Sequence, residues 1–214
     1  MVLRRSTIPN LITIGRIVLA PVVALLLFVP TFSARFAAWI LFLIAAFSDL
    51  WDGYLARKHG WTSDFGKLFD PIADKLLLAA TFVPFYLLTQ RADYATTLPW
   101  LGVLPLWIVL VIFGREALVT LVRQIAARRG TVIPAGKAGK LKATFQNIFI
   151  GTTILWFALR TAAQANGWGG GFWSFWTVFH GAVLLTTLAI ALVLTVWSMI
   201  VYMLEWRWPG RSAS

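Results

Sequence analysis

The sequence predicts an all-α membrane protein with six transmembrane helices. Of the 214 residues, 59% are hydrophobic and only 13% are charged. A soluble domain of this length would normally carry about twice that charge. The apolar residues also come in runs long enough to cross a bilayer, which takes about 20 residues per helix. We therefore expect a single transmembrane domain over residues 1–214.

Six apolar runs define the predicted helices in order along the chain. Pro9 lies in the first turn of the first helix, where its missing N–H has no partner to lose. Residues 164–171, which contain Asn166-Gly167 and three consecutive glycines, predict a flexible hairpin between the last two helices. The sixth run exceeds one membrane thickness, so we expect this helix to tilt or to protrude. The predicted helices are 8–29, 35–57, 68–90, 98–127, 141–163 and 173–204.

The basic residues predict the orientation in the membrane. They lie at the ends of the apolar runs and collect on one side of the predicted bundle, whereas the other side has little beyond Arg35, Arg91 and Arg160. The positive-inside rule and an even number of spans then place both termini in the cytoplasm, for a multi-pass protein of the cell (inner) membrane. This distribution accounts for the net charge of +11 without nucleic acid, which we do not expect as a partner.

The acidic residues are concentrated in one short stretch. Five of the eight lie there, at Asp49, Asp52, Asp64, Asp70 and Asp74. Asp49 and Asp52 share one face of the second helix, and Asp70 and Asp74 share one face of the third. The short polar loop between these helices predicts an antiparallel hairpin. Four carboxylates would therefore converge near the cytoplasmic surface, where ionisable groups in an apolar chain usually indicate a functional site.

The chemistry of these side chains suits metal ions and phosphate. Four unpaired carboxylates repel one another, and two hard divalent cations, Mg²⁺ or Mn²⁺, would neutralise them through oxygen ligands. Paired metals about 4 Å apart suit phosphoryl transfer. Gly53 and Gly66 leave the backbone open to a nucleotide, and Arg57 is placed to pair with a phosphate or to order an aspartate. The alternative, in which the aspartates are helix caps and ion-pair partners, accounts for Asp64 but not for all four on two stripes.

The spacing Asp49-x2-Asp52-Gly53-x2-Ala56-Arg57-x8-Gly66-x3-Asp70-x3-Asp74 resembles the motif of the CDP-alcohol phosphotransferases at every fixed position. This resemblance implies a six-helix membrane enzyme with two divalent metal ions, commonly a homodimer. The residues that it implies as metal ligands are Asp49, Asp52, Asp70 and Asp74. Those implied at the CDP-lipid site are Gly53, Ala56, Arg57 and Gly66. Asp74 would also be the general base that deprotonates the acceptor hydroxyl, which attacks the β-phosphorus and releases CMP.

Basic residues in the second half bear on the acceptor. Arg115 and Arg123 are eight residues apart and share a face of the fourth helix. An arginine at the depth of Arg115 needs a partner or a water-filled cavity. A phosphorylated acceptor would provide that partner, because arginine binds phosphate bidentately. We predict Arg115, Arg123 and Lys140 as acceptor-binding residues. The alternative is that Arg115 pairs with Glu116 or with an aspartate of the acidic stretch.

Two further stretches narrow the resemblance within the family. They are Ile8-Pro9-Asn10-Leu11-x-Thr13-x-x-Arg16, and the segment from Gly114-Arg115-Glu116 to Gly139-Lys140-x-Lys142-x-Thr144. Both resemble the bacterial phosphatidylglycerophosphate synthases, which implies CDP-diacylglycerol and sn-glycerol 3-phosphate as substrates. Cardiolipin synthases of the same fold, which use phosphatidylglycerol, and the inositol-phosphate enzymes are the alternatives. A cation carrier is the alternative outside the family, although a carrier would more typically place its charged groups near mid-membrane on broken helices.

Overall fold

The structure, a computed structural model, describes residues 7–59, 64–91, 93–128 and 137–207. Within these ranges, the side chains of residues 7–9, 49–59, 64–68, 94, 137–138 and 205–207 lie outside the described part. Six helices make up nearly all of the described chain. They are α1 (Thr7–Phe28), α2 (Phe32–His59), α3 (Asp64–Thr89), α4 (Leu106–Arg128), α5 (Lys137–Asn166) and α6 (Gly170–Arg207).

All six predicted helices are present, and their ends agree with the prediction within four residues except at the start of α4. The prediction that this helix begins at residue 98 was wrong. Leu98 and Gly102 instead close a tight turn through reciprocal backbone hydrogen bonds of 2.8 Å each. Pro99 lies within the turn and Pro105 follows it. Neither proline can donate a backbone hydrogen bond, and the helix starts only after the second one, at Leu106.

The hairpin between α5 and α6 is shorter than predicted. α5 continues to Asn166, whose side-chain amide donates to the carbonyl of Ala162 at 2.8 Å. Gly167 then adopts a φ of 61°, and the N–H of Trp168 donates to the carbonyl of Ala163 at 2.9 Å. This is a Schellman ending, in which the glycine takes the left-handed conformation that other residues avoid. The glycine-rich stretch therefore acts as a tight helix stop.

Four helices contain segments long and apolar enough to cross a membrane, judged over the residues that the structure describes. These segments are Asn10–Phe28, Phe69–Thr89, Gly139–Asn166 and Gly170–Leu204. α2 has a shorter apolar stretch, Phe32–Ser48. α4 is interrupted by charged residues, including Arg115, Glu116 and Arg123. The described chain therefore has the helices of a multi-pass membrane protein: four of the six predicted spans are long and apolar enough to cross, and the crossings of α2 and α4 stay predictions.

The helices pack side by side around a core of phenylalanine rings. α1 packs against both α2 and α3, α5 packs against α2 and α6, and α4 packs against α6. Phe82, Phe85, Phe149 and Phe157 fill the centre, with ring centroids 5.6–6.3 Å apart. Large apolar side chains such as Leu25 and Phe172 remain exposed on the outside, as expected where helices face lipid tails.

Buried or half-buried charged side chains lie at two separate levels of this bundle. On α5, Lys142 and Arg160 are 18 residues apart, which is about 27 Å along a helix. At the Arg160 level, that side chain and the indole of Trp156 both donate to the carbonyl of Thr97. These contacts fasten the turn before α4 to α5. The Lys142 level contains the cavity described next.

Candidate active site

A polar cavity of about 180 Å³ lies between α1, α3, α4 and α5. Its apolar wall includes Ala46, Leu77, Leu78 and Ile150. Four basic and two acidic side chains line it together with two amides, so its charge favours an anionic ligand. The polar lining residues are Arg16, Asp74, Lys75, Arg115, Glu116, Lys142, Gln146 and Asn147.

Two side chains of α1 hold two aspartates of α3, Asp70 and Asp74. The hydroxyl of Thr13 donates to Oδ1 of Asp70 at 2.6 Å, and Arg16 forms an ion pair with Asp74. Because residues three or four apart share a helix face, these contacts align one stripe of α1 with one stripe of α3. Arg16 is 2% exposed, whereas 58% of the Asp74 side chain is exposed. Asp74 is therefore fixed from one side and accessible from the other.

Arg115 is held by α4 and α6 together. Its Nε and Nη2 donate to the hydroxyl of Ser198 at 3.2 and 3.0 Å, and its Nη1 donates to Oε1 of Glu116 at 3.0 Å. Lys142 of α5 also donates to Oε1 of Glu116. A guanidinium has five N–H groups. Two of them lie outside the bonds that Arg115 makes with described residues, which leaves donors for a ligand in the cavity.

The other two predicted acceptor residues are not among the residues that line this cavity. Arg123 donates to the hydroxyl of Tyr202 and lies over its ring, with Cζ 5.1 Å from the ring centroid. Arg115 approaches the same ring, at 5.9 Å. Lys140 is exposed and lines a second cavity. The structure therefore brings Arg115 to the polar cavity, and the acceptor roles of all three stay predictions.

The second cavity, of about 610 Å³, lies between α2 and α5. Most of its lining is apolar, with Trp39, Phe42, Phe47, Ile148 and Leu155 among the side chains. It shares Ala46, Ala143 and Asn147 with the polar cavity, so the two have a common wall. Together they offer a charged region next to an apolar one, an arrangement that suits an amphiphilic ligand.

The described aspartates fit a hard divalent cation by the chemistry of their oxygen donors. Asp70 and Asp74 are four residues apart on α3, and Asp74 is accessible at the polar cavity. Among the residues that the structure describes, no three acidic or histidine side chains form a group that could hold a metal. The remaining predicted site residues lie in α2 and α3, but their side chains are outside the described part. They are Asp49, Asp52, Gly53, Ala56, Arg57 and Gly66.

The sequence interpretation did not include several residues that line the cavity. Arg16 is the only charged residue of α1, and a lone buried arginine in an apolar helix is itself a signal of a functional site. Lys142 and Gln146 are four apart on α5 and share a face, but that face could not be assigned to the cavity from the sequence. Glu116 was considered only as a partner for Arg115, whereas it also binds Lys142.

The chain was compared with known protein families. The sequence model of the CDP-alcohol phosphatidyltransferases matches residues 6–197, which is most of the chain. The chain belongs to this family. The family consists of enzymes that generally depend on divalent metal ions, and it is the one predicted from the motif at residues 49–74.

Curated relatives within the CDP-alcohol phosphatidyltransferase family have related names. A probable phosphatidylglycerophosphate synthase of Mycobacterium tuberculosis is 38% identical over 155 residues, covering 71% of this chain and 68% of the relative. The CDP-diacylglycerol–glycerol-3-phosphate 3-phosphatidyltransferase of Bacillus subtilis is 35% identical, covering 69% and 76%. The enzyme of the same name from Pseudomonas fluorescens is 34% identical over 202 residues, covering 94% and 90%.

Proposed function

We propose that this chain transfers the phosphatidyl group of CDP-diacylglycerol to sn-glycerol 3-phosphate, giving phosphatidylglycerophosphate and CMP. The observation that carries the proposal is the cationic cavity, in which Arg115 and Lys142 lie in the same lining as Asp74 of the family motif. A dianionic phosphate with a nearby hydroxyl matches the charge and chemistry of this cavity. The relatives from three bacteria have names that specify this reaction or its product.

The reaction assigns separate roles to the residues of the cavity. Arg115 and Lys142 bind the acceptor phosphate, with Lys75 adding positive charge. Asp74 accepts the proton of the acceptor hydroxyl, whose oxygen bonds to the phosphorus that bears the diacylglycerol. The bond from that phosphorus to CMP then breaks. When bound, Mg²⁺ or Mn²⁺ would polarise the phosphate oxygens. The residues that would hold two such ions are Asp49, Asp52, Asp70 and Asp74.

The lipid part of the substrate is assigned to the apolar cavity. Because the two cavities share a wall, fatty acyl chains in the apolar cavity would lie beside the polar cavity, as a membrane lipid with a charged head requires. We further propose that the enzyme lies in the cell (inner) membrane with the site and both termini in the cytoplasm, which the distribution of basic residues supports. A single domain over residues 1–214 and a homodimer complete the proposal, and the family match over 6–197 supports the single domain.

Acceptors other than glycerol 3-phosphate fit the cavity less well. A cardiolipin synthase uses phosphatidylglycerol, whose phosphodiester carries a single charge, whereas the cluster of Arg115 and Lys142 favours the dianionic phosphate of glycerol 3-phosphate. A small phosphorylated polyol places its charge directly against Arg115 and Lys142. Inositol phosphate shares that charge but has a bulkier ring.

Release of CMP by the purified protein tests the proposal. The assay contains CDP-diacylglycerol, Mg²⁺ or Mn²⁺, and one acceptor at a time: glycerol 3-phosphate, phosphatidylglycerol, inositol phosphate or glycerol. We expect rapid CMP release with glycerol 3-phosphate and little with the others. Release with phosphatidylglycerol alone would identify a cardiolipin synthase, and absence of release with every acceptor would contradict the enzymatic proposal.

A further inference from the structure

Gln146 of α5 is a buried amide that lines the polar cavity. Its side chain is 6% exposed, and its Oε1 has no hydrogen-bond partner among the residues that the structure describes. Buried side-chain oxygens in folded proteins nearly always accept a hydrogen bond, because burial without one forfeits the bonds made to water in the unfolded state. The cavity that Gln146 lines is the place from which such a donor can come.

The neighbours of Gln146 indicate the chemistry of that donor. Lys142 lies one turn earlier on the same face of α5, about 6 Å along the helix, and shares Glu116 with Arg115. A ligand whose anionic end contacts Lys142 and Arg115 therefore has its following atoms near Gln146. A ligand hydroxyl at that point can donate to the amide oxygen of Gln146 or accept from its amide nitrogen. It therefore satisfies the side chain whichever way the amide group is turned.

We propose that Gln146 determines acceptor specificity by accepting a hydrogen bond from the C2 hydroxyl of glycerol 3-phosphate. This inference rests on the proposed function. The C1 hydroxyl is the reacting group, and in the proposed reaction it gives its proton to Asp74. The C2 hydroxyl is therefore the one that remains for recognition. A site that binds a substrate hydroxyl rejects the analogue that lacks it, because the protein group is then left buried and unpaired. Gln146 thus selects a polyol phosphate over a simple alcohol phosphate.

The test compares glycerol 3-phosphate with 3-hydroxypropyl phosphate, which has the same chain and phosphate but no C2 hydroxyl. We expect wild-type kcat/KM to be about 10-fold or more higher for glycerol 3-phosphate. Gln146→Met keeps the length of the side chain without its polar atoms. It should lower kcat/KM for glycerol 3-phosphate by about the same factor and leave the value for 3-hydroxypropyl phosphate within about two-fold.

A matched control is Gln90→Met, which makes the same change at the far end of α3, where the amide donates to the carbonyl of Leu104. It should leave the preference between the two acceptors unchanged. Equal loss with both acceptors in Gln146→Met, or a wild-type enzyme that does not distinguish them, would overturn the inference. If Gln146→Met does not fold in detergent, Gln146→Leu provides the same comparison. Failure of the wild type to use glycerol 3-phosphate at all would contradict the proposed function instead.

Discussion

At the scale of single residues, the two described aspartates of the motif have different partners. Asp70 accepts a neutral hydrogen bond from Thr13, whereas Asp74 is paired with the buried charge of Arg16. Both arrangements fix a carboxylate from the α1 side, and Asp74 is exposed on its other side, at the polar cavity. A substitution of Asp70 that keeps an oxygen to accept the bond from Thr13 preserves the structural contact with α1. Any loss of activity can then be attributed to the other carboxylate oxygen or to the lost charge.

Asp70→Asn is such a substitution, because the amide oxygen can still accept the bond from Thr13. We expect kcat to fall by at least about 100-fold, since loss of a metal ligand removes several kcal/mol of transition-state stabilisation. Mn²⁺ binding measured by electron paramagnetic resonance should weaken in parallel, while the melting temperature in detergent stays close to wild type. Asp93→Asn is the control: Asp93 caps the turn before α4 by accepting from the N–H of Ala95. Wild-type activity and Mn²⁺ affinity in Asp70→Asn would contradict the assignment of a ligand.

Arg115 shows what sequence spacing can and cannot establish about a residue. Its depth in an apolar helix correctly predicted that it needs a partner. Pairing with Glu116, the alternative hypothesis, is observed, and Arg115 also lines the polar cavity, while its binding of the acceptor stays a prediction. Its third contact, Ser198, is 83 residues away and belongs to a helix whose rotation depends on packing. Spacing within one helix assigns a face but does not identify what packs against that face.

At the scale of helices, α6 positions the basic groups of α4. Ser198 receives two hydrogen bonds from Arg115, and Tyr202 bonds to Arg123, so one face of α6 orients both arginines. The sequence predicted α6 only as a long apolar span. A serine and a tyrosine in such a span are common packing residues, and nothing in their spacing distinguishes a positioning role.

Ser198→Ala tests this role of α6. Loss of the bonds that orient Arg115 should raise the KM for glycerol 3-phosphate about five-fold, corresponding to about 1 kcal/mol, with the KM for CDP-diacylglycerol nearly unchanged. The control is Thr195→Ala, one turn earlier on α6, because the buried hydroxyl of Thr195 bonds to the carbonyl of Ala191 within its own helix. Arg115→Ala should give a larger change in the same constant. An equal rise in both KM values for Ser198→Ala would indicate general destabilisation.

The ends of the helices show why the sequence predicted the bundle better than its connections. Apolar runs are long and continuous, and five of the six helices were placed within four residues at both ends. The start of α4 was missed because the residues from 98 to 105 are apolar enough to continue the pattern. Two prolines and the Leu98–Gly102 turn determine the backbone there. Hydropathy describes the surroundings of a segment, and hydrogen bonding decides its conformation.

At the scale of the whole molecule, the contacts of Arg160 and the polar cavity lie at different levels along α5. The Arg160 level of α5 ties the turn before α4 to the core, and the Lys142 level borders both cavities. The motif aspartates predicted the location of the charged region, but cavities arise from packing between distant helices. The apolar cavity between α2 and α5 could not be predicted from either helix alone.

Filling the apolar cavity tests its assignment to the acyl chains. Leu155 lines this cavity, and Leu159, one turn later on α5, lines a different apolar cavity beside Trp168 and Trp173. Leu155→Trp should raise the KM for long-chain CDP-diacylglycerol by about 10-fold, because the indole occupies space otherwise taken by methylene groups worth about 0.8 kcal/mol each. The KM for glycerol 3-phosphate should not change. A short-chain CDP-diacylglycerol should be affected much less, since fewer methylenes compete for the space.

Leu159→Trp introduces the same side chain on the same helix without reaching the wall shared with the polar cavity. It should leave both KM values near wild type, and its melting temperature in detergent reports any general cost of a new indole on α5. If the two variants had similar KM values for CDP-diacylglycerol at every acyl-chain length, the assignment of the acyl chains to the cavity lined by Leu155 would be wrong. A dependence on chain length confined to Leu155→Trp is the expected outcome, because that cavity alone of the two shares a wall with the polar cavity.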